Sequence, residues 1–212
     1  MCTNFTPTKD KDWVAESFGV DLPQDYPAEA YPGFAAPLVV RSRRTGRIAC
    51  GLARFGLIPA WAKDSTISRH TYNARSETAA QKPSYRTAWA KGQYGLVLVD
   101  HFFEPNYESG KPVRWKIAVQ SNAPFAIACL WDRWSDPATG ESVPSFSMLT
   151  VNADAHPVMN RFHKQDDEKR TPMILPDHLY RTWLEADVKT ATRLMDLALV
   201  PALQAMPAPK GA

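Results

Sequence analysis

The sequence predicts a single α+β domain over residues 1–212, in which a curled, barrel-like antiparallel β-sheet forms the core and helices lie at its periphery. Short segments rich in Val, Ile, Phe and Trp alternate with turn sequences such as NYESGKP and SDPATGE. Eighteen prolines divide the chain into short elements. A chain of 212 residues is long enough to bury one sizeable core.

Apolar side chains recur with helical spacing in four short stretches. The first ends at Gly19, a typical helix stop, and the second begins with the capping-type sequence SETAA and is interrupted near Pro83. We expect helices over residues 9–19, 76–91, 177–186 and 189–199. The tail from about residue 200 is expected to be flexible.

Strand-like segments fill the middle of the chain. Residues 38–41 and 47–55 flank the turn-like sequence SRRTG and predict a β-hairpin. The proline-rich residues 21–37 predict an irregular surface arm, because they can sustain neither a helix nor a central strand. Further strands, which complete a set of about six or seven, are expected over residues 95–103, 113–121, 125–134 and 143–151.

Composition and patterning exclude several classes of protein. No stretch approaches the roughly 18 consecutive apolar residues of a membrane helix, and the polar start MCTNFTPTKDKD lacks the apolar region of a signal peptide. We therefore expect a cytoplasmic protein with no membrane partner. The three cysteines, Cys2, Cys50 and Cys129, show neither disulfide nor metal-ligand spacing, so no cofactor or metal is expected. A formal charge of +3 is only mildly basic, so a nucleic-acid partner needs a local basic patch.

Cys2 offers a specific chemistry if Met1 is removed. The cysteine then carries a free α-amine, with a reference pKa of about 7.7–8.0, and a thiol, with a reference pKa of about 8.5, so both react near neutral pH. Such a 1,2-aminothiol condenses with an aldehyde to a thiazolidine ring, which an internal cysteine cannot form. Taken alone, a cysteine at position 2 is more often accidental than functional.

Polar residues at two further positions suit a site. The segment TYNARSETA places Asn73 and Arg75 before a helix, where Arg75 suits a phosphate and Asn73 a polar group of a substrate, although the same pattern is a common helix cap. Glu104 ends the apolar strand GLVLVDHFF and precedes Pro105. A carboxylate there suits acid–base chemistry or an ordinary salt bridge.

The segment NADAHPVMNRFHKQDDEKRTPMIL contains two histidines among basic residues. His156 and His163 titrate near neutral pH, although a lone histidine is more often structural. Arg161 and Arg170 are candidate DNA-binding residues in the same segment.

The segment RFGLIPAWAK places Pro59 beside Trp61, with basic residues on either side. Stacking of an aromatic ring on a base is worth about 1–3 kcal/mol, so both residues are candidate DNA contacts. Most Trp and Pro residues pack in a core instead.

Taken together, the start MC, GLIPAW, NARSET, FFEP, CLWDRW and FH…RTPMIL resemble the SOS response-associated peptidase family, in the same order over residues 1–176. Members of that family crosslink to abasic sites in single-stranded DNA through the N-terminal cysteine, so the resemblance implies this role for Cys2. It implies roles for four further residues: a substrate-orienting Asn73, a phosphate-binding Arg75, an acidic Glu104 and a catalytic His163. The implied partner is single-stranded DNA that contains abasic sites.

The chain departs from the usual family pattern at several positions. The start MCGRF reads MCTNF here, so Asn4 replaces an arginine that contacts DNA, and we expect one phosphate contact to be weakened. Pro105 and Ala62 replace aromatic residues, which leaves Trp61 as the stacking residue.

The assignment of the histidine has two candidates. In many family members an Arg-Met-Pro type sequence follows the histidine closely, whereas KQDDEK separates His163 from Arg170 here. His156 is the alternative, and we favour His163 because it lies nearer the RTP segment.

The resulting hypothesis is covalent capture of the abasic site. An abasic deoxyribose reacts only as its open aldehyde, so His163 is expected to transfer the proton that opens the ring, and Glu104 to assist attack by the Cys2 amine. We also expect removal of Met1, either by the chain itself or by a host aminopeptidase. Lyase activity at the abasic site, association with the nucleoid and a monomeric state are further expectations.

Two other functions fit the same residues. A cysteine peptidase acting beyond self-processing suits the Cys, His, Asn and Glu set. A non-covalent single-strand binding module would use Trp61, Arg75 and Arg161 and would leave no covalent product.

Overall fold

Eleven strands of the part that the computed structural model describes, residues 3–210, form one sheet. They are β1 (Asn4–Pro7), β2 (Ala35–Arg41), β3 (Ile48–Phe55), β4 (Asn73–Arg75), β5 (Tyr94–Asn106), β6 (Val113–Val119), β7 (Phe125–Ser135), β8 (Ser142–Asn152), β9 (Arg170–Pro172), β10 (Ile174–Leu175) and β11 (Leu203–Pro207). The ladder from β7 through β8, β3, β2 and β5 returns to β7, so these strands close a barrel. The α+β, barrel-like fold predicted from the sequence is confirmed.

The helices are short and lie outside the barrel. They are α1 (Lys11–Phe18), α2 (Ser76–Ala79), α3 (Arg86–Ala90), α4 (Tyr180–Glu185) and α5 (Val188–Leu194), with single 3₁₀ turns at Ser65–Arg69, Met159–Arg161, Asp177–Leu179 and Leu197–Leu199. The side chain of Asp10 caps α1 by accepting the N–H of Trp13, and the helix stops at Gly19, whose φ is 67°. The predicted helices are thus confirmed in place, including the break near Pro83, but they are shorter than expected.

Two segments expected to be irregular are strands. β2 begins inside the predicted surface arm and includes Pro37, which pairs with Leu52 of β3. The pairing of β2 with β5 begins one residue later, at Leu38, so Pro37 is paired on one side only, a position that tolerates the missing N–H. The tail predicted to be flexible from about residue 200 contains β11, which pairs with β6, so that prediction is wrong as far as Pro207.

The shortest strands were not predicted from the sequence. β4, which the sequence presented as a helix cap, runs parallel to β8, and β3 does the same, so the sheet is mixed rather than wholly antiparallel. Strands of two to four residues, such as β1, β4, β9 and β10, are too short to display an alternating pattern. The described strands therefore exceed the expected six or seven.

Two apolar clusters lie on opposite faces of the barrel wall. Val97 and Val99 belong to a cluster that draws on all five barrel strands and on no α-helix, which identifies it as the barrel interior. Leu96 and Leu98 face the other way and pack with helix residues such as Trp183. Residues 3–210 contain no helix long and apolar enough to span a membrane.

Candidate functional site

Glu104 lies within β5 rather than at its end, because the strand continues through Pro105 to Asn106. The expectation that Glu104 ends the strand is therefore wrong. Pro105 pairs with Arg114 of β6, whereas β1 reaches only as far as Phe103, so Pro105 is paired on one side and the ladder tolerates it. Glu104 pairs with Trp115 of β6 and is 1% exposed, which makes it a buried carboxyl group on a rigid strand.

The segment after β8 is fastened to β5 just beyond Glu104. Asn106 donates its side-chain N–H to the carbonyl of Arg161 at 3.1 Å and forms an isolated bridge with Phe162. The backbone N–H of His163 donates to the carbonyl of Pro105 at 3.2 Å. His163 has a φ of 65°, in the left-handed region that is uncommon for a histidine, so its backbone conformation is imposed by these contacts.

This anchoring brings His163 Nδ1 to 3.6 Å from Glu104 Oε2, with side chains that are 8% and 0% exposed. Burial raises the pKa of Glu104 to about 7 and lowers the pKa of His163 to about 4. At neutral pH the imidazole is therefore uncharged while the carboxyl group titrates. A carboxyl group that titrates near pH 7 beside a neutral imidazole offers a proton donor and a proton acceptor, which is what general acid–base chemistry needs.

A cavity of about 430 Å³ opens beside this pair. It is lined by Thr3, Tyr72, Arg75, Pro105, His163, Asp167, Glu168 and Arg170. A second cavity of about 410 Å³ adjoins it, since His163 lines both. His163 is thus the member of the pair that faces open space. Cys2, which directly precedes Thr3 in the sequence, lies outside the described residues.

Asn73 lies in β4, between two residues that line the cavity. Tyr72 and Arg75 both reach the cavity, whereas Asn73 is 8% exposed. The hydroxyl of Tyr85 donates to the backbone carbonyl of Asn73 at 3.0 Å, which braces β4 from the helix side. This hydrogen bond holds the segment next to the cavity.

The two basic residues at this cavity differ in exposure. Arg75 is 52% exposed and forms a salt bridge with Glu168 at 2.8 Å. The side chain of Arg170 is 3% exposed and binds Glu77 through both nitrogen atoms, at 2.9 and 2.8 Å, as well as Glu168 at 2.7 Å. Arg170 was expected to bind DNA, but its guanidinium is already enclosed by protein acceptors, so we revise its role to holding Glu168 and the start of α2.

Arg161 lines the second cavity from the protein surface. Its guanidinium makes two hydrogen bonds of 2.9 Å to the carboxylate of Glu108, and the two side chains are 42% and 52% exposed. An exposed pair of this kind contributes little to stability, so Glu108 can be exchanged for a phosphate at low free-energy cost.

Trp61 and Pro59, the two candidates for stacking on a base, differ in exposure. Trp61 is 57% exposed, and its indole N–H donates to the carbonyl of Pro83 at 3.3 Å, so the residue remains largely accessible to solvent. Pro59 is buried and its carbonyl accepts the N–H of Ala62, so it cannot offer its ring to a base. The DNA-binding expectation for Pro59 is corrected to a turn-forming core residue.

His156 does not share the environment of His163. Its Nδ1 accepts the backbone N–H groups of Val158 at 3.1 Å and Met159 at 3.2 Å. It lines a different cavity, together with residues 197–203. The hydrogen bonds make His156 a cap of the following turn, which favours His163 as the histidine of the site.

A polar cluster surrounds Asn4 and was not predicted from the sequence. The carboxylate of Glu29 accepts hydrogen bonds from Asn4, Arg114 and Tyr31, the last at 2.6 Å. Burial opposes the charge of Glu29, but the Tyr31 hydroxyl and Arg114 outweigh it and lower the pKa of this carboxyl group. Arg114 thereby places a cation beside β1, the strand in which Asn4 replaces the expected arginine. Asn4 and Arg114 lie 25 and 85 residues from Glu29 in the chain, so no local pattern could reveal these two contacts.

Metal ligands are not clustered in residues 3–210: no group of three or more His, Cys, Asp or Glu side chains there could hold an ion. The cysteines in this range lie outside the site. Cys129 is fully buried inside the barrel, and burial raises its pKa, while burial raises the pKa of Cys50 to about 12. Neither is a reactive thiolate.

The comparisons with known proteins agree on one family. The model of the SOS response associated peptidase (SRAP) family matches residues 1–209. The chain is 30% identical over 193 residues to the abasic site processing protein YoqW of Bacillus subtilis (strain 168), covering 87% of this chain and 80% of that protein. It is 31% identical over 166 residues to the abasic site processing protein HMCES of Xenopus tropicalis, covering 67% of this chain and 48% of that protein.

A solved structure shares both sequence and fold. A crystal structure of a protein from Bordetella bronchiseptica superposes with a TM-score of 0.86 at 34% identity, covering 98% of this chain and 99% of that chain.

Proposed function

The chain belongs to the SOS response associated peptidase (SRAP) family, and on that basis we propose that it processes abasic sites by capturing them covalently in single-stranded DNA. The capturing residue is Cys2, exposed as the N-terminal residue once Met1 has been removed. The names of its relatives support an abasic-site substrate. The observation that carries the proposal in this chain is the buried Glu104–His163 pair at a cavity lined by Thr3, the residue that follows Cys2.

The proposed reaction needs no redox partner. The Cys2 amine attacks the C1′ aldehyde of the ring-opened deoxyribose, and loss of one water gives an imine. The thiol sulfur then adds to C1′ while its proton passes to the nitrogen, which closes a thiazolidine. The product is the sum of protein and DNA less one water, and the strand remains intact.

Glu104 and His163 supply the proton transfers. A neutral His163 at the cavity wall takes up the proton of the C1′ hydroxyl as the C1′–O4′ bond breaks and returns it to O4′, which becomes a hydroxyl group. Glu104, with a pKa of about 7, lies behind it and is able to hold or release a proton during attack by the amine. The combined effect of general acid–base help of this type is typically about 10²–10⁴-fold in rate.

The DNA strand is held by residues that line the two cavities beside His163 and by Trp61 outside them. Arg75 exchanges Glu168 for a phosphate, and Arg161 exchanges Glu108. Trp61, which is exposed, stacks on a base. Asn73 orients the sugar or the Cys2 backbone from the buried strand β4.

The direct experiment mixes purified protein with single-stranded DNA made abasic by uracil removal, with the same lesion in a duplex, and with intact single-stranded DNA. We expect a product stable to heat and detergent with the first substrate, much less with the second and none with the third. A non-covalent binding module yields no such product with any substrate. Equal yields with intact and abasic DNA contradict abasic-site capture.

A further inference from the structure

The turn between β2 and β3 concentrates positive charge at the end of β5 that is remote from Glu104. It borders a cavity of about 700 Å³, larger than the two beside His163. None of the described residues that line this cavity carries a carboxylate. Six cationic residues line it: Arg41, Arg43, Arg44, Arg47, Lys91 and Arg133.

Most of these charges lack an acidic partner. Within residues 3–210, only Arg41 among the six lies within ion-pair distance of a carboxylate, Glu185, at 3.6 Å. Arg133 bonds the hydroxyl of Ser142 at 3.3 Å. Arg44, Arg47 and Lys91 are exposed. Like charges gathered without counter-charges repel one another, so an anion that enters the cavity relieves that repulsion.

The cavity wall is fixed before any ligand arrives. Arg43 lies across the turn after α3 and donates to the carbonyl of Gly92 at 3.1 and 2.9 Å and to that of Ala186 at 2.7 Å. A side chain at position 92 would overlap the Arg43 guanidinium, and its φ of 61° also favours glycine. These contacts tie the hairpin to two neighbouring segments, so the other cations project from a rigid frame.

The ligand chemistry follows from the side chains. Five of the six cations are arginines, whose planar guanidinium groups match phosphate oxygens in a bidentate manner. Trp131, which is half-buried, contributes an aromatic ring to the same cavity. Phosphate groups with an aromatic base between them satisfy both features.

We propose that this hairpin cavity is a second nucleic-acid binding site, which takes the phosphates of a strand and stacks a base on Trp131. Gly95, which pairs with Val40 at the hairpin, precedes Glu104 by nine residues along β5, so about 30 Å of strand separates the two sites. A strand is favoured over a free nucleotide because the cations come from three separate segments, and a series of spaced phosphates can pair with all of them. Binding here does not depend on covalent capture by Cys2.

The test compares two variants of equal charge. Arg44→Gln, Arg47→Gln and Lys91→Gln are combined in one protein, since these side chains are exposed and brace nothing. The control combines Lys11→Gln, Lys189→Gln and Arg193→Gln, which remove the same charge from exposed positions on α1 and α5. Affinity for intact single-stranded DNA of about 30 nucleotides is measured by fluorescence anisotropy at several salt concentrations. Thermal melting verifies that both variants fold like the wild type.

The hairpin variant is expected to bind about tenfold more weakly at low salt, and its salt slope is expected to fall by about 2, since each single-strand phosphate contributes about 0.7. The control variant is expected to retain most of the wild-type affinity. Equal affinities and slopes for the two variants overturn the proposal.

Competition identifies the source of the ligand chemistry. Each competitor is added to the wild type at equal concentration of charge. Displacement of the oligonucleotide by a free deoxynucleoside monophosphate or by inorganic phosphate argues against a strand as the ligand. Equally good displacement by polyglutamate argues against any nucleotide ligand. Crosslinking of the hairpin variant to an abasic oligonucleotide of about 4 nucleotides, which spans less than the distance between the two sites even when fully extended, is expected to match the wild type. If neither protein crosslinks, the proposed function fails while the anisotropy comparison still decides the hairpin site.

Discussion

His163 Nδ1 lies 3.6 Å from Glu104 Oε2, and the two side chains, which come from different elements, are 8% and 0% exposed. Three contacts between the segment 161–163 and β5 maintain this distance. Because burial disfavours the charge on each side chain, their pKa values are shifted in opposite directions and nearly exchange places. The histidine is a neutral proton acceptor at neutral pH, and the carboxyl group is the one that titrates there.

Glu104→Gln is expected to change the pH dependence of stability. Because the folded state raises the pKa of Glu104 from 4.5 to about 7, it binds more protons than the unfolded state, and wild-type stability falls as pH rises from about 4.5 to about 7. Glutamine does not titrate. The difference in unfolding free energy, variant minus wild type, should therefore rise by roughly 2–4 kcal/mol between about pH 4 and pH 8. Chemical denaturation at each pH measures it.

The matched control for that measurement is Glu16→Gln, an exposed glutamate of α1, which should leave the pH dependence unchanged. His163 contributes with the opposite sign in both proteins. Its pKa is lowered from 6.5 to about 4, so stability falls as pH drops through that interval, and the comparison must be made as a difference between variant and wild type. A constant difference at all pH values would show that Glu104 does not titrate as described.

His163→Ala and Arg75→Ala are expected to fail in different ways. His163→Ala should bind intact single-stranded DNA like the wild type but crosslink to abasic DNA at least about 10²-fold more slowly, because a proton-transfer group is lost. Arg75→Ala should bind more weakly, with a salt slope reduced by about 0.7, because one phosphate contact is lost. Affinity on intact DNA and single-turnover crosslinking rate on abasic DNA separate the two effects.

His156→Ala is the control for the histidine assignment. Its loss removes two hydrogen bonds to backbone N–H groups and should lower stability by about 1–2 kcal/mol, with a crosslinking rate close to that of the wild type. A wild-type rate in His163→Ala together with a slow His156→Ala would reverse the assignment.

Arg170→Ala is expected to destabilise the protein rather than to weaken DNA binding alone. Its guanidinium joins Glu77, Glu168 and the carbonyl of Thr150, and its removal leaves that buried carbonyl without this donor. The expected loss of unfolding free energy is about 1–3 kcal/mol, from chemical denaturation. Unchanged stability with a weaker affinity for DNA would restore the original assignment of Arg170 as a phosphate ligand.

The barrel was predictable because its strands are long enough to display their pattern. β5, β7 and β8 each exceed ten residues, and their apolar and β-branched residues outweigh the turn sequences between them. β4 and β11 were not predicted, for different reasons. β4 is too short for alternation to appear, and β11 lies in a proline-containing tail whose pairing with β6 depends on tertiary contacts.

The site was predictable as a set of residues but not as an arrangement. Glu104 and His163 were expected in one site only through family resemblance, since 59 residues of sequence separate them. Arg75 and Arg170 were both expected to bind DNA, and only burial distinguishes the exposed guanidinium from the enclosed one. Nothing in the sequence indicated that Pro59 is buried while Trp61 is exposed.

Substitution of the three cysteines separates the proposed nucleophile from structural thiols. Cys2→Ser and Cys2→Ala should form no heat-stable adduct, because neither retains the aminothiol. Cys50→Ala and Cys129→Ala should retain crosslinking. Cys129→Ala should also lose about 1–2 kcal/mol of stability, because it leaves a small cavity inside the barrel. Denaturing electrophoresis and thermal melting report the two properties.

Mass spectrometry of the protein–DNA adduct tests covalent capture most directly. Protein reacted with an abasic oligonucleotide is digested with protease and nuclease, and the modified peptide is sequenced. We expect the modification on the N-terminal peptide that begins at Cys2, with a mass equal to peptide plus abasic nucleotide less one water. A modification on any other residue, or an unmodified peptide that still begins at Met1 in the crosslinked fraction, would contradict capture by the Cys2 aminothiol.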